Sequence, residues 1–126
     1  MSVRLKTMTE DVTIFELLKE ILSARASRLK VVTDKPGLYY LDTKVLDAKG
    51  KAIFFGMVKE GKAKVSFHLM LIYSHPELLD QISEDLRNRM QGKSCFTFSK
   101  HSLTLFDELS LLVDLCLEEY IAEGLA

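Results

Sequence analysis

His68, Tyr73 and His75 lie close together in the chain, and Arg87, Arg89, Lys93, Ser94 and Cys95 follow as a second group. Three chemistries are open to such a set. Imidazole nitrogens and a thiolate are ligands for borderline divalent metals, so His68, His75 and Cys95 make a candidate metal set. However, His68-x6-His75 is no recognised ligand spacing, and no carboxylate sits beside the pair. A Ser or Cys nucleophile needs a base within reach and an oxyanion hole. His68 can serve Cys95 only if their strands are neighbours and their side chains share a face. The third chemistry is anion binding. Gly92-Lys93-Ser94 offers backbone N–H groups beside the positive side chains of Lys64, Arg87, Arg89 and Lys93, which suits a phosphate or carboxylate. The run is not a P-loop, because the upstream glycine is missing and the segment leads into a strand. The bland alternatives are a partly buried sheet histidine and a solvated helix end whose basic residues face the macrodipole's negative pole.

These side chains must be positioned by the stretch Lys51 to Tyr73, which reads as two strands rich in β-branched and aromatic residues. A two-residue turn at Glu60 and Gly61, with glycine supplying positive φ, pairs Phe54 with Phe67, Gly56 with Val65 and Val58 with Ala63 on one apolar face. Ile53 and His68, Phe55 and Ser66, Met57 and Lys64 then share the other face. This register sets Lys59 against Lys62, an unfavourable like-charge pair that a longer loop relieves. A one-residue slip would turn His68 toward the core.

The remaining elements follow in order. Residues 1–10 are expected to form a flexible tail or an edge strand. Thr13 and Glu16 make a capping box ahead of Ile14, Leu17, Leu18, Ile21 and Leu22 at helical spacing, in a helix ending near Arg25 to Arg28. Leu29 to Thr33 and Leu38 to Thr43 are strands joined by Asp34-Lys35-Pro36-Gly37, and Asp47-Ala48-Lys49-Gly50 turns the chain into the ribbon. Ser74 caps a helix starting at Pro76 that either restarts at Ser83 or kinks there. Ser94 to Phe98 is a fifth strand, with Phe96 and Phe98 opposite in face to Cys95 and Thr97. Thr104, with Asp107 at N3, caps a last helix whose stripe is Leu105, Leu109, Leu112, Val113, Cys116, Leu117, Tyr120 and Ile121. Its other side carries Asp107, Glu108, Asp114, Glu118, Glu119 and Glu123 with no Lys or Arg. Such a surface suits solubility, docking on a basic patch, or weak retention of a hard cation.

The whole is expected to be one α+β domain over residues 1–126. Its antiparallel sheet of about five strands is packed by N- and C-terminal helices in a two-layer sandwich, with one sheet face partly open. A length of 126 residues and 48% hydrophobic content suit a single core. A net charge of −1 argues against general nucleic-acid or membrane-surface binding. Met1 to Glu10 lacks a signal-peptide core and no run approaches the roughly 20 apolar residues of a membrane helix, so a cytoplasmic location is expected. Cys95 and Cys116 read as reduced thiols, since no C-x-x-C is present. No cofactor motif is found.

The runs KAIFFGM, beginning at Lys51, KVSFHLM, beginning at Lys64, the Pro76 helix and GKSCFTF, beginning at Gly92, resemble the uncharacterised YdhG-like domains in order. In those, a strand ending in a small residue precedes one reading like "hyigfyp", then a helix, a "gkgtirF" strand and a closing helix. The resemblance covers about residues 14 to 121. It implies the fold just described and, through likeness to bacterial frataxins, a suggested role in iron handling on an acidic helix face. This chain places its acidic helix last and has no Trp. The reading is therefore a small non-enzymatic binding or interaction module with neither nucleic-acid nor membrane partners. Its ligand is a small anion or a protein, a homodimer included, at His68, Tyr73, Arg87, Arg89, Lys93 and Ser94. The alternative is a metal-handling protein or small enzyme using His68, His75 and Cys95.

Overall fold

The capping box at Thr13 forms as its residues dictate. In a computed structural model, which describes residues 13–126, Thr13 Oγ1 accepts from the Glu16 N–H at 3.1 Å. The Glu16 carboxylate accepts in return from the Thr13 N–H. Helix α1 (Ile14–Ser23) then buries Phe15, Leu18 and Leu22. The tail or edge strand expected over residues 1–10 lies outside the described residues.

Strands β1 (Leu29–Lys35), β2 (Leu38–Leu46), β3 (Ala52–Glu60), β4 (Val65–Leu69) and β5 (Cys95–Phe98) form an antiparallel sheet in sequence order. The first two join through Pro36 and Gly37, the glycine at φ +83°. At the second turn Asp47 Oδ1 accepts from the Lys49 and Lys51 N–H groups while Gly50 sits at φ +81°. Helical turn α2 (Leu71–Ser74), a 3-10 turn (Pro76–Gln81) and α3 (Glu84–Arg87) connect β4 to β5, and α4 (Leu103–Ala122) closes the chain. The fold is the expected α+β sandwich. Helices α1 and α4 cover one sheet face, where Leu18, Leu22, Leu41, Val58, Phe67, Leu69, Phe96, Leu109, Leu112 and Val113 are fully buried. Each such side chain contributes about 1.5–3 kcal/mol of burial free energy.

Arg25 ties the helical layer together. Its Nε donates to Asp114 Oδ1 at 2.8 Å, Nη1 to the Ile21 carbonyl at 2.7 Å, and Nη2 to Ser110 Oγ at 2.8 Å.

Several local expectations are corrected. The ribbon pairs Gly56 with Leu69, Met57 with His68, Val58 with Phe67 and Glu60 with Val65, so the loop is the four residues Gly61 to Lys64. The longer loop carries Lys62 out of the ladder and removes the Lys59–Lys62 opposition. Gly61 is not at positive φ; its place reflects the Lys64 carbonyl, which an added Cβ would approach to 3.0 Å. A β-bulge changes the facing of β3, because Leu41 opposes Gly56 while Asp42 opposes Phe54, leaving Phe55 as the extra residue. Phe55 turns inward and is buried, and Phe54 turns outward, not into the core. Tyr120 holds the bulge, its ring edge-on to Phe55 at 5.2 Å and its hydroxyl donating to the Phe54 carbonyl at 2.8 Å.

The chain becomes helical at Leu71, ahead of Pro76, so Ser74 ends a turn and does not cap one; its hydroxyl donates to the Leu71 carbonyl. Ser83 does cap α3. Ser102, not Thr104, caps α4 by accepting from the Leu105 N–H, and the buried stripe includes Phe106 while Ile121 is exposed. At the far end Gly124 (φ +76°) makes a Schellman motif, with Leu125 N–H donating to the Tyr120 carbonyl and Gly124 N–H to that of Ile121.

Candidate functional site

On the sheet face away from α1 and α4, antiparallel pairing places directly opposed residues on one side. One row across the strands reads Thr33, Tyr40, Met57, His68 and Cys95, and the next reads Lys35, Leu38, Lys59, Ser66 and Thr97. Beyond the bulge, Asp42 and Phe54 extend this surface. Tyr40 stacks on Phe54 with ring centroids 4.7 Å apart, and Phe54 on His68 at 5.5 Å. Tyr40, Phe54, Met57, His68 and Cys95 are all half-buried, and among the described residues the rings of Tyr40, Phe54 and His68 shield one another. Sequence reasoning missed Tyr40 and Phe54 here, since only the bulge turns Phe54 to this side.

His68 is at the junction of this surface with β5. Its Nε2 lies 3.2 Å from Ser94 Oγ, and Ser94 is buried where β5 begins. Burial pulls the imidazole below its ordinary pKa of 6.5, so the ring is neutral near pH 7. Cys95 stands directly opposite His68, which meets the adjacency a thiol and base require. The thiol nevertheless stays protonated. Burial raises its pKa more than the hydrogen bonds from Ser66 and Phe67 lower it, and Sγ points to the Phe96 carbonyl at 3.8 Å. Cys116 is a core thiol whose pKa burial pushes up to about 12.

The basic candidates divide. Lys93, the residue before Ser94, has its Nζ over the exposed Tyr73 ring, 5.7 Å from the centroid. Arg87 and Arg89 are exposed on and just after α3. Arg89 is tied to β5 through its backbone, its carbonyl accepting from the Thr97 N–H at 2.8 Å.

Among the described residues His68, His75 and Cys95 do not come together as a metal set. His75 is drawn away from His68 and Cys95 to the end of α4, where Nε2 lies 2.7 Å from Glu123 Oε2 and 3.8 Å from Glu119 Oε2. The carboxylates that meet His75 thus arrive from the distant C-terminal helix and its cap. The acidic side of α4 is correspondingly not one solvated surface. Glu108 accepts from the Ser83 N–H and hydroxyl, Asp114 pairs with Arg25, and Glu119 and Glu123 face His75, leaving Asp107 and Glu118 exposed. The guanidinium of Arg25 holds the Asp114 carboxyl below the usual carboxylate range.

Among the described residues no helix is long and apolar enough to cross a membrane. Comparison of the chain with protein-family models, with curated proteins and with solved structures finds no match.

Proposed function

We propose that this chain is a cytoplasmic, non-enzymatic binding module of the YdhG-like kind. Its ligand is a small planar anion lying on the uncovered sheet face, with its charged group toward Lys93. The observation that carries this reading is the Tyr40–Phe54–His68 stack, three rings in van der Waals register on a face that neither α1 nor α4 covers. Aromatic rings present large apolar area at little entropic cost, which favours a flat partner. Anion recognition falls to the Lys93 ammonium over Tyr73, with the exposed Arg87 and Arg89 as further cations of the β4–β5 connection. Binding is favoured over catalysis because the thiol on this face, Cys95, is kept protonated by burial and turns its Sγ to the Phe96 carbonyl.

The test is a thermal-shift and NMR titration with benzoate, indole-3-carboxylate and phenyl phosphate. Perturbation is expected at Tyr40, Phe54 and His68, with the response lost in Lys93→Ala and weakened in Tyr40→Ala. Silence from every probe, or equal responses in both variants and the parent chain, would falsify the reading and leave a protein as the partner of this face.

A further inference from the structure

His75 stands where α2 gives way to the 3-10 turn at Pro76, and its two ring nitrogens have different surroundings. Nδ1 lies 2.9 Å from Ser74 Oγ, and the same hydroxyl lies 3.2 Å from the Leu71 carbonyl oxygen. When the hydroxyl proton goes to Leu71, Oγ can only accept, so Nδ1 carries hydrogen. Nε2 then faces Glu123 and Glu119 with either a second proton or a bare lone pair. A lone pair aimed at two carboxylates is stable only with a cation between them.

The surroundings add negative character. Glu119, in the last turn of the 20-residue helix α4, and Glu123, its C-cap, are four residues apart and project to the same side, where like charges repel. That turn has no basic residue to balance the helix's negative pole. Glu77 contributes from the 3-10 turn.

We infer that His75, Glu119 and Glu123 form a site for a divalent transition ion of the zinc type. One donor atom from each residue lies within 4.8 Å of the others. Metal–nitrogen and metal–oxygen bonds of about 2.0–2.2 Å set tetrahedral donor separations of roughly 3.4 Å. The 3.8 Å gap to Glu119 needs slight closing and the 2.7 Å gap to Glu123 slight opening, within the reach of side-chain rotation. One imidazole with two carboxylates selects zinc-like ions over magnesium or calcium, which favour all-oxygen sets. The Ser74 contact at Nδ1 is the outer hydrogen bond that fixes the ring of a ligating histidine. Loading releases the imidazolium proton and any proton shared by the carboxylates, and water completes the coordination. The site belongs to the helical layer, so it stands whether or not the sheet face binds an anion.

The experiment is isothermal titration of the full chain with Zn²⁺, repeated in two buffers to count protons, with Co²⁺ absorption to report the ligand field and Mg²⁺ as the hard-ion control. One Zn²⁺ per chain is expected, with proton release and negligible Mg²⁺ binding. Affinity should fall roughly tenfold or more in His75→Gln and in Glu119→Gln, and stay unchanged in Cys95→Ser. Circular dichroism of each variant separates a lost ligand from a lost fold. No Zn²⁺ binding, which would make the cluster an ion pair only, or binding undiminished in folded His75→Gln and Glu119→Gln, overturns the assignment.

Discussion

The two faces of the sheet draw on similar residues and treat them differently. On the helix side Val58, Phe67 and Phe96 form a row sealed by α1 and α4, and each is essentially inaccessible to water. On the other side Tyr40, Phe54, Met57 and His68 are as bulky but only half-covered, and among the described residues the rings of Tyr40, Phe54 and His68 shield one another. Burial on the first face is what makes the fold. On the second, apolar area remains available after folding, and a face in that condition is where a ligand gains most from displacing water. The difference teaches that composition alone does not separate scaffold from site; the placement of two helices does.

Truncating one phenylalanine on each face sharpens the contrast most strongly. Phe67→Ala empties a fully enclosed position and is expected to cost about 3–5 kcal/mol in urea unfolding. Phe54→Ala removes a half-exposed ring held by two stacking contacts and should cost only about 1 kcal/mol. Equal losses would show that the uncovered face contributes to the fold as the covered one does.

Between these two lies Gly56→Ala, a test of the bulge that sorts β3 between the faces. A Cβ there would stand 2.7 Å from the His68 backbone oxygen and 3.2 Å from Leu69. Because the first neighbour is backbone, the β3–β4 ladder must shift, and a loss of about 1–3 kcal/mol is expected. Amide exchange should quicken first at the Met57–His68 and Val58–Phe67 pairs. An unperturbed ladder would mean that the close approach is not what holds Phe54 outward.

Elements specified by local chemistry were legible in the sequence: the Thr13 capping box, the Pro36-Gly37 and Asp47 turns, the Ser83 cap, the five antiparallel strands and the shared face of Phe96 and Phe98. What was not legible depended on contacts distant in sequence. The bulge at Phe55 is stabilised by Tyr120, and no pattern within β3 distinguishes Phe54 from Phe55 as the inward ring. The four-residue loop had a signal, since Lys59 facing Lys62 was already unfavourable. His75 gave none beyond its own identity. Its partners are two glutamates spaced four apart on the last helix, a spacing that reads equally well as solvated surface.

The smallest expected effect comes from His68 and His75, whose environments shift them oppositely. His68, drawn below 6.5 by burial, binds its proton less readily folded than unfolded. Its contribution to stability is present above the unfolded value and declines as pH falls through about 6.5 toward the lower folded value. His75, raised by Glu123, binds its proton more readily when folded. Its contribution is present below 6.5 and declines as pH rises through the higher folded value. Imidazole NMR titration between about pH 5 and pH 8 should therefore resolve one midpoint on each side of the unfolded value. Denaturation midpoints should gain acid tolerance in His68→Gln and lose their alkaline decline in His75→Gln. Because His75 is near the surface, its effect should shrink with added salt, whereas that of His68 should not. Coincident titrations would mean that the uncovered face does not desolvate His68, and the claim that it is a preformed apolar platform would fail with them.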